Sequence, residues 1–335
     1  MIVNARARRA GRDGRLGERL RRVMPAEFIH FTRDPAELDL ALARLQELGV
    51  EHLVLVGGDG TVGGTLTPLV ARYGESPLPR ISLVAGGTIN TIAHSLGAHA
   101  SALQTVTRIL ENEPPRLDSI RPLIRVEPDV GPTRAGLIFA NGLAARFLEH
   151  YYQGEDLGVV SAATLVGRIA TSALLRTALA RELFAPREIE ITVDGSPLDA
   201  HAYTVAGAAS VLDVGLGFRP FLSAGSDPER FHFLYSAASA TRLSLELPAL
   251  RLGFHGPTSC LHHHPARSVE LRLSTPEPWS MDADLYPPAT TLRLSAWAPI
   301  RLPVPVSPVN EILSTFLFVI SSAPTTVPGP GTRLI

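Results

Sequence analysis

The stretch His52-Leu53-Val54-Leu55-Val56-Gly57-Gly58-Asp59-Gly60-Thr61 decides the fold of this chain. His52–Val56 is an almost unbroken apolar run, which reads as a parallel strand buried on both faces. The glycines after it let the backbone turn sharply, and a helix is predicted to follow Thr61. One unit downstream the same grammar returns: Arg80–Val84 is a second buried strand, and Gly86-Gly87-Thr88-Ile89-Asn90 leads into a helix over Thr91–Leu96. Upstream, Met1–Val3 and Glu27–Phe31 read as strands. The segment Gly17–Val23 opens a helix. Another is capped near Thr32–Asp34, carries Leu38, Ala41, Leu42, Leu45 and Leu48 at helical spacing, and stops at Gly49. Strand, glycine turn and helix in repetition predict a doubly wound α/β unit.

Around Arg116–Arg121 the pattern changes. Short alternating strands such as Glu188–Val193, Ser268–Leu273 and Thr291–Ser295 alternate with Pro, Gly and Asp turns, interrupted by a helical insert over Val159–Phe184. This predicts a second, antiparallel β-sandwich domain. The expected division is an α/β domain over 1–119, a β-sandwich domain over 120–305 and an appended tail over 306–335.

Composition narrows the function classes. The 335 residues suffice for about two domains, with 45% hydrophobic and 19% charged residues, a globular balance. A net charge of -1 argues against a strongly basic nucleic-acid binder. All 31 basic residues are arginine, so lysine Schiff-base chemistry and a P-loop lysine are excluded. The single cysteine, Cys260, forms no intramolecular disulfide, which suits a reducing cytosol. No signal peptide, transit peptide or membrane-spanning stretch is expected: the longest apolar candidate, Ile312–Ala323, is too short to cross a bilayer.

Ligands of open α/β sheets bind at the carboxyl ends of strands, where both glycine turns lie. Glycines let backbone N–H groups approach a phosphate, and a helix N-terminus favours its charge. Two such turns on adjacent strands would form two walls of one phosphate cleft. Thr61 either caps the helix or bonds a phosphate oxygen. Asp59 beside phosphates implies Mg²⁺ or a proton acceptor; otherwise it is the N-cap of a tight turn.

These residues resemble the diacylglycerol kinase catalytic-domain superfamily, which includes diacylglycerol, sphingosine and ceramide kinases and bacterial soluble lipid kinases. The resemblance rests on Gly57–Thr61, Gly86–Ala93, Asn4 ending the first strand, Leu117-Asp118 between the domains, the strand Phe139–Ala145, and Met281-Asp282-Ala283-Asp284 where the family has Asp-Gly-Glu. It implies ATP-dependent phosphoryl transfer to a lipid hydroxyl, diacylglycerol-like or sphingoid, with ATP and Mg²⁺ in an interdomain cleft. Asn4, Gly57, Gly58, Gly60, Thr61, Gly86, Gly87, Thr88 and Asn90 would bind the nucleotide. Asp59 and Asp284 would be catalytic and Asp282 a metal ligand. The family's acidic positions are replaced by Gly64 and Thr91, and its late glutamate by Asp284. Two alternatives stand beside this: a catalytically impaired lipid- or nucleotide-binding protein of the same fold, and a NAD-kinase-like small-molecule kinase. The expected partners are a lipid substrate at a membrane surface and a second copy in a homodimer, not nucleic acid. The expected location is cytoplasmic, peripheral to the inner face of the membrane.

Three further features carry weaker expectations. Arg6, Arg8, Arg9, Arg12, Arg15, Arg19, Arg21 and Arg22 form a basic segment, a solvated helix face or a phosphate-facing one. His255, Cys260 and His262–His264 have no standard zinc spacing. Glu149-His150-Tyr151-Tyr152 is read as aromatic packing at the domain junction, with a lipid entrance as the alternative.

Overall fold

The computed structural model describes residues 1–7, 15–74, 76–87, 90–98, 100–111, 118–154, 157–254, 256 and 259–303. Thr88, Arg8, Arg9, Arg12, Leu117, His255 and the 306–335 tail lie outside the described residues.

The first unit runs β1 (Ile2–Asn4), α1 (Leu16–Arg21), β2 (His30–Thr32), α2 (Pro35–Glu47), β3 (His52–Gly57), α3 (Asp59–Tyr73), β4 (Arg80–Ala85), α4 (Thr91–Ser95) and α5 (Ala102–Leu110). Its four strands form one sheet in the order β2-β1-β3-β4, every pairing parallel. Alternation along β3 explains burial on both faces. Leu53 and Leu55 pack with Leu42 and Leu45 of α2 and Leu66 and Leu69 of α3. Val54 and Val56 pack on the other side with Leu16 and Leu20 of α1 and Ala102 and Val106 of α5. Helices thus cover both faces, the doubly wound arrangement. Helix α2 starts where expected: Asp34 accepts the Glu37 N–H at 2.9 Å, Pro35 occupies the first turn, and Gly49 adopts φ +63° after the end. The expected strand Glu27–Phe31 is displaced, because Pro25 opens a 3₁₀ turn at Ala26–Phe28 and the strand begins only at His30.

The second unit contains β5 (Asp118–Pro128), β6 (Arg134–Gly136), β7 (Ile138–Gly142), α6 (Leu143–Tyr152), α7 (Val159–Leu175), α8 (Ala178–Leu183), β8 (Arg187–Val193), β9 (Ser196–Pro197), β10 (Ala202–Tyr203), β11 (Val205–Ala209), β12 (Phe231–Ser236), α9 (Ala240–Leu252), β13 (His262–Ala266), β14 (Ser268–Met281) and β15 (Asp284–Pro303). Its 11 strands form one antiparallel sheet in which β13-β12-β11-β7-β14-β15-β5-β6 are successive neighbours. The sheet folds over its own core: Phe231 and Phe233 of β12 share a cluster with Ile124 and Val126 of β5, five strands away in the ladder. Register shifts in the β14–β15 pair fall between Arg272 and Trp279, where Pro276, Pro278, Pro287 and Pro288 interrupt donation to the ladder.

The helical insert is two helices, broken where Arg176 turns to φ +55°. The expected strand Phe139–Ala145 ends at Gly142, and its last residues begin α6. The two units meet through apolar surface: Ile300 and Leu302 of β15, with Leu123 and Leu137, join the cluster built around α3. Arg80 and Asp118 pair at 2.7 Å across the same junction.

Candidate active site

The two glycine turns leave neighbouring parallel strands, and they touch. The Gly86 N–H donates to Gly57 O at 2.8 Å. A Cβ on Gly87 would stand 2.5 Å from Gly58 Cα, and one on Gly57 would stand 2.2 Å from Thr61 Oγ1. Space, not flexibility, therefore fixes these residues as glycine. Asn4 reaches the same place from β1: its Nδ2 donates to Thr61 Oγ1 at 2.8 Å. Gly60 and Gly58 sit at the first turn of α3, with Gly58 as its N-cap.

Asp59 is the first residue of α3, and it caps a different helix from the one expected. Its Oδ2 accepts the Thr91 N–H and its Oδ1 the Ile92 N–H, both at 2.9 Å, so it ties α3 to the start of α4. Burial raises its pKa above the usual carboxylate value, and the two N–H donors oppose that rise. Asn90, expected to meet the nucleotide, spends its side chain inside the turn. In the left-handed conformation its Oδ1 accepts the Gly87 N–H at 2.7 Å and its Nδ2 donates to Gly87 O at 3.0 Å. It shapes the loop.

The late motif is a hairpin turn between β14 and β15. Met281 pairs with Asp284, and Asp282 and Ala283 take φ +50° and +71°, the two-residue turn that matches strand twist. The turn delivers Asp284 to α3, where a Cβ on Gly60 would stand 3.4 Å from Asp284 Oδ1. Asp284, from the second unit, is thus brought to the helix that begins with Asp59. Burial, with the Asp59 charge and against Arg134, raises the pKa of Asp284. Asp282 departs from its expectation as a metal ligand. It is 1% exposed, its Oδ1 accepts the Leu137 and Ile138 N–H groups, and its Oδ2 is unpartnered behind Gly63 and Gly136. Burial above all, together with Asp59 and Asp284, pushes its pKa up to about 7. Among the described residues no three His, Cys, Asp or Glu side chains form a metal cluster. That statement covers Cys260 and His262–His264, where His263 instead shares a 2.9 Å hydrogen bond with His232.

From this polar end a cavity of about 380 Å³ extends into the second unit. Asp59, Thr91 and Asp282 are among its few polar lining residues; the rest are mostly apolar side chains of α6, α7, α9, β11 and the segment Val214–Phe221. Tyr151 and Tyr152 belong to the wall, and Tyr152 Oη donates to Ala283 O at 2.9 Å, joining α6 to the hairpin turn. The segment after Val211 reaches back to the first unit, its Asp213 N–H donating to Ser95 Oγ at 3.1 Å. Neither this segment nor α9 was expected at the site. Leu243, Leu247 and Leu250 carried a legible i, i+4, i+7 signal, hidden by Pro248 within the same helix.

Comparison with known proteins gives the same direction. The chain has the fold of a diacylglycerol kinase from Bacillus anthracis at TM-score 0.59 and 14% identity, covering 92% of this chain and 96% of that one. Another solved structure, of a candidate diacylglycerol kinase from Bacillus anthracis, is similar at TM-score 0.64 and 16% identity, with 92% of this chain and 95% of that one covered. Among curated proteins no sequence match is found. Residues 1–121 match the diacylglycerol kinase catalytic domain, so the resemblance read from Gly57–Thr61 and Gly86–Ala93 holds over that region.

Proposed function

We propose that the protein transfers the γ-phosphoryl group of ATP to the hydroxyl of a lipid. The cavity that runs from Asp59 between α6, α7 and α9 carries this reading. A 150 Å³ apolar cavity accommodates the six carbons of benzene, so 380 Å³ suits about fifteen carbons, the size of one long acyl chain. A chain seated there would present its polar end at the two glycine turns.

On this reading residues 1–119 supply the nucleotide side and residues 120–305 the lipid side. The phosphates lie along Gly57–Thr61 and Gly86–Gly87, with the N-terminus of α3 favouring their charge. Asn4 and Asn90 hold the turns that receive them. Asp59 takes the proton of the lipid hydroxyl as its oxygen bonds to the γ-phosphorus and the bond to the bridging oxygen of ADP breaks. Its raised pKa brings its basicity closer to neutral pH. Asp284 stands beside Gly60 on the phosphate side. Mg²⁺ fits this donor set, since it takes one or two carboxylates with substrate phosphates and keeps its waters, and when bound it supplies charge neutralisation. Asp284 would hold it, and Asp282 would not.

Incubation of the protein with γ-labelled Mg-ATP and separate monoacylglycerol, diacylglycerol, sphingoid-base and NAD samples tests the reading. Label is expected in a lipid product. Label in NAD alone, or in nothing, overturns it.

A further inference from the structure

Helix α6 lines the cavity with Leu143, Ala144, Phe147, Leu148, Tyr151 and Tyr152, and it is fastened to the β14–β15 hairpin at two points. The first is buried. Arg146, in the second turn of the helix, donates to Glu277 Oε2 of β14 at 2.7 Å. The same guanidinium donates to Leu183 O and Ala185 O, each at 3.0 Å, and Arg187 donates to the other oxygen of Glu277. The Glu277 carboxylate thus has a donor at each oxygen, as a buried charge requires. One residue on, Pro278 O accepts from Asn141 Nδ2 at 2.8 Å, and Asn141 Oδ1 accepts from Tyr203 Oη. These side chains fix β14 where its prolines interrupt the ladder.

The second point is at the tip of the hairpin. Ala283 stands there at a left-handed φ of +71°, unfavourable for a residue with a Cβ. Its carbonyl accepts the hydroxyl of Tyr152, the last residue of α6, at 2.9 Å. Burial, with the Asp284, Tyr151 and Asp59 charges, pushes the Tyr152 pKa up to about 12, so the hydroxyl keeps its proton for this bond. The next residue is Asp284, whose Oδ1 would stand 3.4 Å from a Cβ on Gly60 of α3. One hydrogen bond therefore links the cavity wall to the turn that presents Asp284. With Arg146 anchored, a displacement of that wall is carried by the end of α6 that bears Tyr152.

We propose that Tyr152 is a positioning residue that couples the two halves of the site. A lipid chain packed against α6 fixes the end of that helix, Tyr152 fixes Ala283, and Asp284 is held beside Gly60 for the Mg-nucleotide. The inference rests on the lipid-kinase reading and adds a coupling to it: lipid tightens nucleotide, and nucleotide tightens lipid by the same factor. Its test needs no turnover. Mg²⁺ with the β,γ-imido analogue of ATP is titrated into the protein with and without saturating 1-palmitoylglycerol. The wild type should bind the nucleotide at least about fivefold more tightly with the lipid, the lower end of ordinary coupling. Tyr152→Phe keeps the ring at the cavity and removes the donor; it should retain nucleotide affinity without lipid, while the coupling falls below about twofold. The side chain is partly exposed, so the fold survives. Tyr151→Phe is the control, because its hydroxyl, on the same wall, donates to Gly158 O at 3.4 Å at the start of α7, and its coupling should persist. A merely structural loss at this wall would affect both variants alike. Lipid that leaves the wild-type nucleotide affinity unchanged overturns the proposal, as does full coupling in Tyr152→Phe or an equal loss in Tyr151→Phe. Label transfer from Mg-ATP to 1-palmitoylglycerol is followed on the same preparations. Transfer without coupling sinks the positioning role and keeps the kinase reading; coupling through Tyr152 without transfer does the reverse.

Discussion

Ala162→Phe tests whether the cavity holds the lipid chain. Ala162 is buried on α7 and lines the cavity. The added ring brings six carbons, which take about 150 Å³ of the 380 Å³ and leave roughly 230 Å³, enough for about nine carbons. A palmitoyl chain then forfeits burial of about six methylenes. At about 0.8 kcal/mol each this is about 5 kcal/mol, or roughly three and a half powers of ten in kcat/KM. An octanoyl chain still fits. The assay compares transfer of γ-label to palmitoyl- and octanoylglycerol, with the melting temperature and its rise in Mg-ATP measured on the same samples. The kcat/KM for palmitoylglycerol should fall by roughly three thousandfold, that for octanoylglycerol should change by only a few-fold, and the Mg-ATP shift should persist. A folded variant that phosphorylates both lipids like the wild type refutes the assignment of the cavity.

Three other perturbations probe the turns. Gly58→Val places a side chain 3.1 Å from Gly87 Cα, so the rise in melting temperature caused by Mg-ATP should vanish while the far-ultraviolet circular dichroism stays native. Ala283→Gly relieves a φ of +71° and should stabilise the protein by about 1 kcal/mol, roughly 2 °C in thermal unfolding. Asp282 has a folded pKa of about 7 against 3.8 when unfolded. Its contribution to stability is therefore fully present below about pH 4 and lost as pH rises through about 7. Asp282→Asn keeps an acceptor for Leu137 and Ile138, and should flatten the fall in melting temperature between those limits.

The first unit was legible because its signals are local. An apolar run ending in two glycines specifies a buried parallel strand and its turn within ten residues, and β3 with α3 follow it closely. The second unit was legible as antiparallel strands but not as one folded sheet, since its register depends on prolines in β14 and β15 acting across the ladder. At the site, residue identity was easier to read than role. Asp284 comes to the first turn of α3, the helix that begins with Asp59, yet Asn90 and Asp282 turn inward to satisfy Gly87, Leu137 and Ile138. A sequence shows that a side chain can bind, not which backbone N–H lies nearest after folding. The cavity was the least visible element, because its walls come from α6, α7, α9 and the Val214–Phe221 segment, far apart in the chain.

The most direct test of the account is transfer of γ-label from ATP to lipid by Asp59→Asn, measured beside the Mg-ATP melting shift of the same protein. The substitution keeps the side-chain shape and one of the two acceptors for the Thr91 and Ile92 N–H groups and removes the proton acceptor. The account predicts that transfer falls by about a hundredfold or more while the melting shift remains. Transfer near the wild-type rate in Asp59→Asn, with nucleotide still bound, would contradict it.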